Sequence, residues 1–367
     1  MKTWGAYAPY LFINLLFVLK YTQRVTPYYI GVGALYMVVG VLFLYVIRWS
    51  IDHLKNPNYL GWSIFTVLLA VGVYLQYSID PYSLQVDRWS AIHFFWDECL
   101  QGNYPYAAGT HLGGYGSPFP VWQLFHLPFY FLGNVGISIF FVSALFVWVV
   151  YRFYGAKSLF VVTSLLLFSP AYWYEVAVRS DMITHLLLVS SIVLYLHNKK
   201  ISLSNHLYAI ACLAGLLAST RFIALIPLAV LYGKSFLQLS IKDKLVFVFT
   251  TIAVFVLTFL PFLLWEGSTL LSFQYSPFVL QTRQGSVGVL LLFALIAIPF
   301  VLVAERKKYD LYLVIGGLLN ALVIFAFAEK MMVLQALTQL FTPMFDLTYL
   351  SAALPFYMLQ VGISAPR

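Results

Sequence analysis

Apolar runs of about twenty residues recur along this chain, separated by short polar connections. Residues 28–47, 60–79, 245–265, 287–304 and 311–328 are each long enough, as helices, to cross a hydrocarbon core of roughly 30 Å. Shorter apolar runs cover 4–19, 134–151, 158–168 and 182–197. Residues 119–132 read as a helix near the interface, because Pro118, Pro120 and Pro128 interrupt the run. Residues 206–233 are apolar except for Ser219-Thr220-Arg221 at their centre. The halves on either side, about 13 and 11 residues, reach only about 20 and 17 Å, so the pattern predicts a hairpin of short helices turning at Arg221. Such a break is tolerated at membrane depth only where protein or a water-filled cavity surrounds it.

The polar connections carry the next signal. Arg48/Lys55, Arg152/Lys157, Lys199/Lys200, Lys234/Lys242/Lys244 and Arg306/Lys307/Lys308 fall in alternate connections, the pattern of loops kept in the cytoplasm. That arrangement puts most acids on the outer side, among them Asp80, Asp87, Asp97, Glu98, Glu175, Asp181 and Asp346. The expectation is an all-α, polytopic transmembrane bundle of about ten to twelve spans, with short re-entrant helices counted. Residues 1–367 then form one transmembrane domain. Within it, residues 80–132 form an outer loop whose amphipathic interfacial helix carries the candidate active site. The first run follows a lysine but has no small-residue cleavage site, so it reads as a retained anchor or interfacial helix.

Composition agrees with that reading. Of 367 residues, 62% are hydrophobic and 9% are charged, too little charge to coat a water-facing surface. A formal charge of +8 would suit nucleic acid only if it lay on one folded face. Here it is dispersed among the short connections, so no nucleic-acid partner is expected. Cys99 and Cys212 read as unpaired, and the histidines have no metal-ligand spacing.

Candidate chemistry gathers in the outer loops. Residues 87–102 place Trp89, Ile92, Trp96 and Leu100 on one helical stripe. Asp87 opens that helix, either as an N-cap or as a general base. Asp97 and Glu98 are the other candidate acids of that helix and also read as its solvated end. Asp181 opens a later helix, again as a cap or as a catalytic acid. Arginine suits a phosphate because its planar fork pairs with two oxygens and stays charged. Arg221, Arg283, Arg179 and Arg88 are the outer-side candidates. Arg88 and Arg283 also fit headgroup or surface contacts, whereas Arg221 within an apolar hairpin is costly unless used. Trp89, Tyr104 and Tyr106 read as interface anchors or as platforms for a sugar. No phosphate-cradling glycine pattern is present.

Asp87 with its helix, Gly102-Asn103-Tyr104-Pro105-Tyr106, Ser117-Pro118-Phe119-Pro120 and Leu127-Pro128-Phe129 resemble the first outer loop of the GT-C glycosyltransferase superfamily. Glu175 through Arg179-Ser180-Asp181 and the Thr220-Arg221 turn fit the same pattern, which covers roughly residues 60–285. Two features differ. Asp87 is followed by Arg88 rather than by a second acid, and the loop follows the third span rather than the first.

The resemblance implies a membrane glycosyltransferase, mannosyltransferase-like, that takes a sugar from a polyprenyl-phosphate donor. The acceptor would be a glycan, lipid or protein on the extracytoplasmic side. Asp87 and Asp181 would be its catalytic acids, and the four arginines would bind the donor phosphate. Trp89, Tyr104 and Tyr106 would contact sugar or acceptor. No cofactor is expected, with a divalent metal left open. The expected setting is a bacterial plasma membrane with the active site facing out. The alternative class is a transporter of lipid-linked sugars or other substrates; carriers commonly show two related halves, and none is visible here.

Overall fold

In a computed structural model, the fold is described for residues 2–282, 285–304, 311–335, 340–342 and 345–364. The described residues form helices and short turns, with no strand among them. In chain order the helices are Lys2–Thr22 (α1), Tyr29–His53 (α2), Pro57–Ser78 (α3), Arg88–Leu100 (α4), Pro120–Phe131 (α5) and Ser138–Leu167 (α6). Then come Pro170–Ala177 (α7), Met182–Asn198 (α8), Leu207–Ala218 (α9), Leu225–Gln238 (α10) and Ile241–Leu271 (α11). Pro277–Thr282 (α12), Val287–Ala304 (α13), Leu311–Leu334 (α14), Thr348–Ser351 (α15) and Leu354–Ile363 (α16) complete the chain.

Five segments are long and apolar enough to cross a membrane: Tyr29–His53, Pro57–Ser78, Val135–Leu167, Ile241–Leu271 and Leu311–Leu334. The pair α7 and α8, bent by 117°, passes the same test together, as a broken span or a re-entrant loop. The protein is therefore an all-α, multi-pass membrane bundle; the expected ten to twelve spans counted short helices and the two arms of Val135–Leu167 separately, whereas these are long segments only. The difference lies in short pieces such as α9 and α10, which do not cross alone. Helix α11 buries only 6% of its most apolar window, yet one side packs closely on α9, where an added Cβ at Gly215 would lie 2.7 Å from Thr251 O.

The Val135–Leu167 segment doubles back. Gln76 near the end of α3 donates from Nε2 to Gly136 O (3.1 Å) and to Val176 O (3.2 Å). A straight helix of 30 residues would hold the two ends of α6 about 45 Å apart, too far for the following α7 to bring Val176 back beside Gly136. The reversal falls at Gly155, whose φ of 81° belongs to the left-handed region that glycine adopts freely. Leu159 then packs against Gly61 at the start of α3, where an added Cβ would lie 2.7 Å from Leu159 Cγ.

Two elements depart from the sequence reading. Helix α1, expected as a retained anchor or an interfacial helix, is packed into the core rather than lying at an interface. Tyr7 and Tyr10 donate to Gly40 O (2.6 Å) and Leu165 O (2.7 Å), and Asn14 Oδ1 accepts from Ser169 Oγ and Ala171 N. Polar groups buried in this way stay only where their hydrogen bonds are made. Helix α16, beyond the last span assigned from sequence, is buried from Leu354 to Gly362 against α1, α6, α8 and α14. The connection at 305–310 and Arg283 lie outside the described residues.

Candidate active site

The site forms where the α9–α10 hairpin breaks. The carbonyls just past the end of α9 have no partner within the helix and need donors elsewhere. Pro118 and Pro120 have no N–H, so the entry to α5 offers amides only at alternate positions. Both meet the break: Phe119 N donates to Thr220 O (3.3 Å) and Val121 N to Ser219 O (3.1 Å). Gln281 of α12 closes the other side, accepting from Phe222 N (3.1 Å) and donating to Ser117 O (2.8 Å). The outer loop, the broken hairpin and α12 are thereby tied around Arg221.

Arg221 is 7% exposed, with an extended backbone and its guanidinium turned into the protein. Its Nη2 lies 2.5 Å from Asp181 Oδ2, which also accepts from Trp122 Nε1 (2.6 Å). Asp181 stands at the start of α8 yet makes no side-chain cap. Glu175 supplies the cap instead, its Oε2 accepting from Ile183 N (3.1 Å). Asp181 is thus released for the arginine, in a position where the helix dipole favours negative charge. On its other side, Asp181 Oδ1 lies 3.9 Å from Arg88 Nη1.

Arg88 extends the row. Its Nη2 donates to Asp346 Oδ2 (2.7 Å), and its guanidinium lies 5.0 Å from the centre of the Tyr349 ring. Burial works against charge on Arg88, but Asp346, Tyr349 and Asp181 more than offset it and raise its pKa. Burial also opposes ionisation of Asp346, whereas Arg88 and the two donors of Thr348 hold its carboxyl below the usual value. Charges therefore alternate through Arg221, Asp181, Arg88 and Asp346. Among the described residues, Arg221 Nε, Arg88 Nη1 and Asp181 Oδ1 are buried with no hydrogen-bond partner.

Asp87 sits one residue before Arg88 and faces the outer loop. Like Asp181 it occupies an N-cap position without capping through its side chain. Its Oδ2 accepts from Thr110 Oγ1 (2.9 Å), which accepts in turn from Gly114 N (2.9 Å). A Cβ at Gly114 would come within 2.8 Å of that same carboxylate oxygen. The first turn of α4 thus points one charge into the loop and the next into the protein.

The other predicted residues are placed elsewhere. Arg179, at a positive φ of 53°, donates to Gln76 O and to Ile79 O (3.0 Å), so it caps the end of α3. Tyr104 and Tyr106 pack against Phe262 of α11 and fasten the loop there. Trp89 is buried against Tyr82 and His111. Asp97 and Glu98 have local donors, Tyr130 and Asn103 respectively. The α4 stripe holds for Trp89 and Ile92, is half-buried at Trp96, and fails at Leu100, which is exposed. Trp122, Gln281 and Tyr349 have no signal in the sequence as site residues, and Asp346 is placed there only among the outer acids. Asp346 had a signal, a lone acid within the apolar stretch FTPMFDLTYL.

Beside Arg221 opens a cleft of about 330 Å³ between α10, α12, α13 and α14. Ile226, Leu290, Phe293, Val323, Ala326 and Phe327 are among the residues lining it, with Ser117, Gln281 and Tyr349 adding polar groups. Arg221 is the one charged residue among its described lining. Among the described residues, no three His, Cys, Asp or Glu side chains converge as a metal-holding group. Comparison with known proteins returns no match to a family model, to a curated protein or to a solved structure.

Proposed function

We propose that this protein is a membrane glycosyltransferase of the GT-C kind, moving a sugar from a polyprenyl-phosphate donor to a hydroxyl acceptor at the outer membrane face. The observation that carries the reading is the apolar cleft whose one charged residue, among the described lining, is a buried arginine. A single-chain lipid with an anionic head matches both properties. Its tail takes apolar surface from lipid or water, and its phosphate takes the planar donors of a guanidinium. Arg221, which lines the cleft, keeps its Nε–H without a hydrogen-bond partner, a donor such a phosphate would satisfy, and Arg88 stands behind it across Asp181.

In this scheme, Asp181 holds Arg221 in place and keeps its charge balanced, so it acts by positioning. Asp87 takes the proton from the acceptor hydroxyl. The acceptor oxygen bonds to the sugar's anomeric carbon as the bond from that carbon to the phosphate oxygen breaks. The electron pair leaves with polyprenyl phosphate, whose charge the arginines stabilise. Glycan, lipid and protein hydroxyls all fit this chemistry.

Incubating the purified protein with a panel of polyprenyl-phosphate sugars and candidate acceptors tests the reading. Release of polyprenyl phosphate is expected with at least one donor. No release with any donor, together with movement of a lipid-linked sugar across vesicles, would instead identify a carrier.

A further inference from the structure

Helix α1 carries, near its end, a lysine that does not reach water. Lys20 is 3% exposed, although a lysine there would ordinarily run its stem along the helix and leave its ammonium at the interface. Its Nζ donates instead to two backbone carbonyls, Thr342 O (3.1 Å) and Phe345 O, with sequence separations of 322 and 325 residues. Gln23 Nε2, one turn on, reaches Phe341 O (3.4 Å). An ammonium is costly to bury unless its donors are met, and here its hydrogen bonds go to a turn of the backbone.

That turn leads directly into the site. Phe345 precedes Asp346, whose Oδ1 is held by Thr348 N and Thr348 Oγ1 and whose Oδ2 takes Arg88 Nη2. Arg88 then stacks on Tyr349, a lining residue of the cleft, and faces Asp181. From Lys20 to the donor cleft the contacts are continuous.

We infer that Lys20 is a positioning residue for the lipid phosphate: it fixes the turn that carries Asp346, and through Asp346 it orients Arg88. Lys20 itself touches no substrate. The inference rests on the lipid-phosphate reading of Arg88 and Arg221. A role confined to fastening α1 would make its loss independent of Asp346, whereas a role through Asp346 makes the two losses overlap.

The test is binding of a polyprenyl phosphate to the protein in lipid nanodiscs, followed by quenching of tryptophan fluorescence. Lys20→Met is expected to weaken binding about tenfold, the size of a typical coupling between contacting residues, while Lys20→Arg keeps most of the affinity. Lys20→Met/Asp346→Asn should bind within about twofold of Asp346→Asn alone. Unchanged affinity in Lys20→Met, or losses that multiply in the double variant, would overturn the inference and leave the lipid-phosphate reading standing. Absence of binding by the wild type would overturn that reading and this inference with it. Should Lys20→Met fail to fold, Lys20→Gln takes its place, since its shorter amide is polar but draws back from the two carbonyls; it is expected to weaken binding, and wild-type affinity in that variant would also overturn the proposal.

Discussion

Arg221 and Asp181 pair at 2.5 Å inside the protein, the one 7% and the other 3% exposed, across a sequence separation of 40 residues. A buried ion pair adds little net stability when intact, yet losing one member strands the other in low dielectric. Arg221→Ala and Asp181→Leu should therefore each destabilise the fold by about 3–5 kcal/mol. Arg88 lies near enough to soften the first loss and sharpen the second, so Asp181→Leu is expected to be the more damaging. The double variant should be more stable than either single. Thermal unfolding in detergent reads this directly, and additive losses would contradict the pairing.

Asp87 needs a different variant. Its carboxylate takes no part in capping α4, so Asp87→Asn should leave the fold intact and lower turnover by roughly 100-fold or more, the scale of a lost general base. Gly114→Ala should lower turnover about tenfold without weakening the donor, because its Cβ would crowd Asp87 Oδ2. Steady-state rates at saturating donor separate the two effects. Wild-type turnover in folded Asp87→Asn would remove Asp87 as the base.

Much of this arrangement is visible in the sequence, because it is local. The polar triplet in an apolar run marks the Arg221 break, and the proline-broken run marks α5. The stripe from Trp89 to Trp96 marks α4. What the sequence hides is distance. Nothing local says that Asp346 meets Arg88 across a separation of 258 residues, or that Lys20 grips the turn before it. Arg179 looks like a phosphate ligand until its neighbours show that its donors cap α3. Asp181 looks like a helix cap because Glu175, which takes that task, lies eight residues before the amide it receives. Helix α1 looks like an anchor because its tyrosine hydroxyls and Asn14 Oδ1 find their partners far along the chain, in α2, α6 and the start of α7.

Sidedness follows from the basic connections. Single cysteines introduced at 80–118 should react with an impermeant thiol reagent applied from outside, and those at 198–205 should not. The background should lack Cys99 and Cys212. Outside labelling of 198–205 would invert the proposed orientation.

The cleft can be filled from its wall. Ala326 lines it and is 8% exposed. Ala326→Phe should occupy part of the space and raise the half-saturating concentration of the lipid donor about tenfold, in line with the 1–3 kcal/mol typical of overpacking. Acceptor kinetics should be unchanged. An unaltered donor requirement would place the lipid tail elsewhere.

The central claim is that Arg221 holds the phosphate of a lipid-borne donor, and the rate against lipid-donor concentration tests it most directly. Arg221→Lys keeps the charge but not the two-point geometry, so it should weaken use of the donor. Arg221→Ala should nearly abolish transfer, with acceptor dependence little changed in any residual activity. Each variant is compared only after thermal unfolding shows it folded. Equal donor kinetics in wild type and folded Arg221→Ala would remove Arg221 from the site, and transfer from a free nucleotide sugar would contradict the lipid donor itself.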